Sequence, residues 1–227
     1  MHSTARVALY YAPLPDDPLT ALSAAWLGRD PVSNAPVPQP GLDGIAQVTA
    51  DPRRYGFHAT LKPPFRLHPG TRWSGFVAAV REMAASHVPF ELPPLAVSDV
   101  HGFLALRETT PSAPLQALAD ACVERLDAFR VPASAEELAR RRKAGLTAEQ
   151  DAMLVRWGYP YVFQTWFFHM TLTRRLDAAE KAVFMPAAEA WFAPALRHRR
   201  RVQDICLFTQ SGPEAAFTLA ERVSLGG

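Results

Sequence analysis

The sequence predicts an α+β fold of two similar, pseudo-twofold-related lobes, each an antiparallel sheet flanked by helices. Three observations predict it. Strand-like and helix-like segments alternate without the regular βαβ rhythm of a doubly wound sheet. Several strand-like runs are joined by hairpin-length links. One short motif occurs twice, as Phe57-His58-Ala59-Thr60-Leu61 and as Phe168-His169-Met170-Thr171-Leu172.

Taken in order, Val7–Tyr11 is an apolar and aromatic run ended by Pro13 and Pro15, and reads as a strand. Asp17 followed by Pro18 opens a helix that Gly28 stops. Residues 29–54 are rich in proline and poor in apolar periodicity, which predicts a long ordered loop beside a site. Tyr55–Leu61 reads as a strand closed by Pro63-Pro64, and Thr71 caps a helix carrying Phe76, Val77, Val80 and Met83. Phe90–Val97 and Phe103–Arg107 are strands about a turn at His101-Gly102, and Leu115–Phe129 has helical apolar spacing.

Residues 132–158 differ. Ser134 with Glu137 and Thr147 with Gln150 form two capping boxes, split by Gly145, which predicts a hairpin of short charged helices inserted into a single domain spanning 1–227. Val162–Thr173 is a long strand-like run. Asp177 with Glu180 opens a helix through about Leu196, and Val202–Thr209 and Phe217–Val223 close the chain as strands.

Composition bounds the function. A chain of 227 residues with 48% hydrophobic and 20% charged residues is globular, not disordered. A net charge of +2 excludes a strongly basic coat, leaving nucleic acid only local patches such as Arg140–Lys143 and His198–Arg201. The two cysteines, Cys122 and Cys206, sit in apolar surroundings and read as buried thiols of a cytoplasmic protein. The N-terminus lacks the apolar core of a leader, and no run approaches the ~18 apolar residues of a membrane span. No Gly-x-Gly-x-x-Gly or P-loop lysine motif occurs, so no nucleotide cofactor is expected.

The duplicated motif carries the chemistry. Composition predicts only about 0.002 such five-residue strings by chance, so two copies mark an internal repeat. In a strand, alternate residues share a face, so His58, Thr60 and Lys62 point one way and Phe57, Ala59 and Leu61 the other. His169, Thr171 and Thr173 repeat the pattern. Two histidines across a cleft suit phosphodiester chemistry: a neutral one takes a proton from the nucleophile, and a protonated one gives a proton to the leaving oxygen. The threonine hydroxyls of Thr60 and Thr171 hold the non-bridging oxygens. No metal is required, and no acidic residue within the motifs completes a metal site.

The paired motif resembles the 2H phosphoesterase superfamily, whose relatives include RNA 2′,5′-ligase-like proteins and cyclic nucleotide phosphodiesterases. The strings Arg54-Tyr55-Gly56-Phe57-His58-Ala59-Thr60-Leu61-Lys62-Pro63-Pro64-Phe65 and Gly158-Tyr159-Pro160-Tyr161 are similar to a branch of uncharacterised proteins encoded with phosphonate-degradation (carbon–phosphorus lyase) genes. The resemblance covers nearly the whole chain. It implies the bilobed fold, His58 and His169 as the acid–base pair, Thr60 and Thr171 as phosphate ligands, and a small cyclic phosphodiester substrate. The branch implies 5-phosphoribosyl 1,2-cyclic phosphate. The alternatives are an RNA-end enzyme acting on 2′,3′-cyclic phosphates or 2′,5′ linkages, and a non-catalytic module that binds a phosphorylated metabolite.

Around the motifs, Lys62 either neutralises a phosphate or is a plain surface lysine. Tyr55, Tyr159, Tyr161 and Tyr11 either line the cleft or pack at its rim. Arg53 and Arg54 either clamp a second phosphate or belong to a solvated loop.

Overall fold

A computed structural model describes residues 5–143 and 145–226. Residues 1–4, on which the expectation about a leader partly rests, lie outside the described residues. The first strand, β1 (Arg6–Tyr11), leads to helix α1 (Pro18–Leu27). The Asp17 side chain accepts from Leu19 N–H, and Gly28 closes α1 in the left-handed region at φ 77°, as the sequence predicts. The proline-rich stretch is not all loop. It contains two short helices, α2 (Ile45–Val48) and α3 (Ala50–Tyr55). The Arg53 guanidinium holds them, donating to Leu27 O, Gln39 Oε1 and Thr49 Oγ1.

Tyr55 therefore ends a helix. Gly56 turns the chain at φ 76°, and strand β2 spans Ala59–Phe65. Then follow α4 (Trp73–Ala85), β3 (Phe90–Leu92), β4 (Leu95–Val100), β5 (Phe103–Glu108) and α5 (Ala113–Arg125). His101 and Gly102, both at positive φ, make the tight β4–β5 turn. The two capping boxes of the insert open α6 (Ala135–Arg142) and α7 (Ala148–Trp157). The aromatic run after them is shorter as a strand than its composition suggests. It holds a single 3-10 turn at Phe163–Thr165, and β6 begins only at Met170, running to Arg175. The chain ends with α8 (Ala178–Leu196), β7 (Arg200–Val202), β8 (Asp204–Gln210) and β9 (Thr218–Ser224).

The two expected lobes share one antiparallel seven-stranded sheet of order β4-β5-β6-β2-β1-β8-β9. Without β9 this order is palindromic: β6 mirrors β2, β5 mirrors β1 and β4 mirrors β8. The short strands β3 and β7, which follow the equivalent helices α4 and α8, pair with each other. A pseudo-twofold axis therefore passes between β2 and β6. Each half lends one strand to the other half of the sheet.

One face of the sheet packs on α1, α4, α5 and α8. Val7, Leu9, Tyr11, Ala59, Leu61, Met170 and Leu172 lie in that core. The opposite face carries a smaller cluster of Ala8, Tyr10, Ala12, Cys206, Phe208 and Phe217. The alternation along β1 assigns Tyr10 and Tyr11 to opposite faces.

Candidate active site

β2 and β6 meet through a single register pair, Ala59 opposite Met170. These are the middle residues of the two motifs, so His58 with Thr60 and His169 with Thr171 flank the axis. Beyond this pair the strands separate, and two indoles satisfy carbonyls there. Trp166 Nε1 donates to Thr60 O (2.9 Å) and Trp26 Nε1 donates to Leu172 O (3.1 Å). The open edge also explains how Pro63 and Pro64 sit inside β2, since a proline has no N–H to offer a ladder.

The two histidines are held alike. Each Nδ1 hydrogen-bonds the carbonyl two residues earlier, His58 to Gly56 O (2.8 Å) and His169 to Phe167 O (3.1 Å). A carbonyl only accepts, so Nδ1 carries hydrogen and the neutral ring leaves the Nε2 lone pair free. His58 Nε2 lies 3.3 Å from Thr60 Oγ1. An aromatic ring backs each imidazole: Tyr10 stacks on His58 at 3.6 Å between centroids, and Phe167 stacks on His169 at 4.6 Å. Burial under these rings pushes the His58 pKa down to about 4, with the Gly56 carbonyl opposing and His169 adding to the fall. Burial also lowers the His169 pKa, with the Phe167 carbonyl opposing and the nearby Arg107 charge adding.

Two cavities open from these histidines. One, of about 290 Å³, is lined by Tyr55, Gly56, His58, Thr171 and Thr173. The other, of about 830 Å³, is lined by Phe167, His169, Tyr159, Tyr161 and the start of α7. Phe103 and Arg175 line both, so the two cavities are neighbours along one cleft. The insert thus borders the cleft on the His169 side. Among the described residues no three His, Cys, Asp or Glu side chains converge as a metal site would need, and no helix is long and apolar enough to cross a membrane.

The structure brings together His58, His169, Thr60, Thr171, Tyr55 and Tyr161. It places four other candidates elsewhere. Lys62 is 1% exposed, and its Nζ donates to Val123 O of α5 (3.0 Å), with Asp127 at 3.8 Å. The cause is a β-bulge: Tyr10 pairs with Thr60 while Leu9 pairs with Lys62, so one extra residue of β2 reverses the alternation. β6 does the same after its own motif. Two residues of β5 face four of β6, and Thr173 Oγ1 fills the gap by accepting from Leu104 N. Tyr11 lies in the helix-side core against Phe168, and burial raises its pKa. Arg54 turns away to donate to Pro213 O, and Arg53 braces the preceding helices.

Sequence reasoning missed Tyr10, Phe103 and Arg175. Tyr10 is the partner of Thr60 across β1–β2; the sequence reading named its neighbour Tyr11, and only strand pairing distinguishes the two. Arg175 stands four residues after Thr171, in a basic pair that was visible in the sequence.

Over residues 60–218 the chain matches a family described as "Protein of unknown function (DUF1045)". It is 39% identical, over 99% of its own length, to a curated protein of Janthinobacterium sp. (strain Marseille) named "Ribose 1,5-bisphosphate phosphokinase PhnN". A protein of the same name from Laribacter hongkongensis (strain HLHK9) is 37% identical over 97% of this chain. The chain spans about half the length of these relatives, 52% of each. Among solved structures, E. coli LigT complexed with NADP+ aligns over 99% of both chains at 14% identity and a TM-score of 0.46. TT0787 of Thermus thermophilus aligns over 98% of both at 17% identity and the same score.

Proposed function

The chain belongs to the DUF1045 family of proteins of unknown function, and from that premise we propose that it is a two-histidine phosphoesterase that opens a small cyclic phosphodiester without a metal. The observation that carries this reading is the Ala59–Met170 register pair, which sets two histidines, each held through Nδ1 on the carbonyl two residues earlier, about one axis.

His58 is the base. Its Nδ1–H is fixed on Gly56 O, and its depressed pKa keeps Nε2 free of a proton at neutral pH. Nε2 takes a proton from an attacking water, whose oxygen bonds to phosphorus. The ring P–O bond breaks as His169 Nε2 delivers a proton to the departing oxygen. Thr60 and Thr171 donate to the non-bridging oxygens, and Arg175, at the rim of both cavities, neutralises phosphate charge. His169 must be protonated for this. The anionic phosphate beside it opposes the effect of burial and favours the cation. The balance is one water consumed and one phosphodiester converted to a monoester.

The substrate we propose is 5-phosphoribosyl 1,2-cyclic phosphate. The motif's resemblance to proteins encoded with phosphonate-degradation genes supports it. So does the name of the relatives, which concerns a phosphorylated ribose. The test is ³¹P-detected hydrolysis in EDTA, with wild type and His58→Ala side by side, on this compound, nucleoside 2′,3′-cyclic phosphates and a short RNA with a cyclic end. Turnover that survives EDTA and disappears in the variant supports two-histidine chemistry. A preference for the RNA end replaces the metabolite reading, and binding without turnover of any member replaces the enzyme reading.

A further inference from the structure

At the other end of β1 and β2 from the motif, five guanidinium groups line one cavity. Arg6 comes from β1, Arg66 from just past β2, Arg130 from the entry to the insert, and Arg140 and Arg141 from α6. Glu137 is the single carboxylate in the lining, and it is engaged by Arg66 at 3.0 Å. Arg130 is engaged by Asp127 at 2.7 Å.

The other three have no carboxylate within ion-pair distance among the described residues, yet two of them are held in place. Arg6 donates from Nε to the neutral Gln210 Oε1 (2.8 Å) and lies over the Phe217 ring at 5.3 Å. Arg141 lies over the Tyr159 ring at 5.0 Å. An aromatic face orients a guanidinium without cancelling its charge, so the terminal N–H groups stay available as a fork for an oxyanion. Like charges gathered in one cavity repel, and an anion between them removes that cost.

The cavity is coupled to the proposed active site. Arg6 shares the sheet face of Tyr10 by strand alternation, and Tyr10 stacks on His58. The Tyr10 hydroxyl is fully buried with no hydrogen-bond partner among the described residues, and the Arg6 guanidinium is the cation whose charge bears on it. Tyr159 belongs at once to the His169 cavity and, through Arg141, to the arginine cavity.

We propose that the cavity formed by Arg6, Arg140 and Arg141 is a second anion subsite that takes a phosphate monoester group. The substrate is the favoured source of that group, because one wall joins the subsite to the histidines. This deepens the phosphoesterase reading and, for its source, rests on it.

The test uses Arg140→Ala/Arg141→Ala, both on the exposed helix α6, with Arg6→Gln as an independent second variant. Inorganic phosphate is titrated first, by calorimetry, into wild type, His58→Ala and the arginine variants. The subsite predicts saturable binding that survives His58→Ala and is lost in the arginine variants. Binding untouched by the arginine variants overturns it. This arm reads the same whether or not any substrate is turned over. The second arm compares KM for 5-phosphoribosyl 1,2-cyclic phosphate, which carries a second phosphate, with KM for a nucleoside 2′,3′-cyclic monophosphate, which does not. A rise of about tenfold for the first alone, from the lost charge-assisted contacts, identifies the substrate as the source. Equal KM changes, or none, with phosphate binding still arginine-dependent, overturn the substrate source and leave a site for free phosphate.

Discussion

Ala59 and Met170 are partners across the centre of the sheet, each the middle residue of a His-x-Thr motif. Because they pair with each other and with nothing else across that seam, the histidines on either side are related by the axis that relates the two half-sheets. The separation of the two histidines is fixed by backbone register, not by loops.

The pH dependence follows from burial. His58 must be neutral to act as base, and its pKa is pushed down to about 4. His169 must be protonated to act as acid, and its pKa in the free protein lies below the usual 6.5. The profile of kcat/KM, which reports the free enzyme, is therefore a bell with its acid limb near 4 and its alkaline limb below 6.5. In kcat the alkaline limb moves up, because bound phosphate favours protonated His169. Steady-state kinetics across pH check both limbs, and an alkaline limb above 8 in kcat/KM contradicts the assignment.

Burial lowers the His58 pKa, and Tyr10, stacked on the ring, is part of what buries it. Tyr10→Ala admits water and raises the His58 pKa toward 6.5 by about one unit or more. Tyr10→Phe keeps the stack, leaves the pKa in place and removes an unpartnered buried hydroxyl, so stability holds or rises by about 1 kcal/mol. NMR titration of the His58 ring distinguishes the variants.

In the proposed mechanism, Thr60→Val and Thr171→Val each remove a donor to the developing phosphorane charge while keeping shape. We expect kcat to fall by about 10²-fold for each, with KM within a few-fold, as for loss of one preorganised donor. A rise in KM without a fall in kcat would mean that the hydroxyls serve ground-state binding only.

Lys62→Met tests the bulge. Lys62 is buried against α5, and burial pulls its pKa down to about 8 despite Asp127. The substitution orphans the Val123 carbonyl and removes one of three cations around Asp127, the others being Arg130 and Arg156. Stability should fall by about 1–3 kcal/mol, read by urea unfolding, while kcat/KM stays within a few-fold at a temperature where the variant is folded. A large rise in KM would return Lys62 to the cleft.

The sequence made legible much of what a local rule governs, although Arg72, not the expected Thr71, stands at the N-cap of α4. Caps at Asp17, Ser134, Thr147 and Asp177 and the stop at Gly28 stand where composition puts them. The motif pair was legible because it repeats. Faces were legible only up to the first bulge: strict alternation puts Lys62 beside Thr60, and one extra residue in β2 undoes it. The choice of Tyr11 over Tyr10 fails for a related reason, since both are buried aromatics and only the pairing partner tells them apart. The helices within 45–55 escaped notice because tertiary contacts from Arg53 hold them, not their own periodicity.

The exchange of β4 and β8 between the half-sheets bears on ancestry. Two copies of one shorter chain would assemble the same palindromic order, as a symmetric homodimer with a histidine from each copy. In such a dimer the two rings would be chemically indistinguishable, and neither would be marked out as donor or acceptor of the proton. Joining the copies into one polypeptide lets each side mutate alone. In this chain the two sides differ: Tyr10 stacks on one imidazole and Phe167 on the other, and Lys62 stands where its counterpart is Thr173.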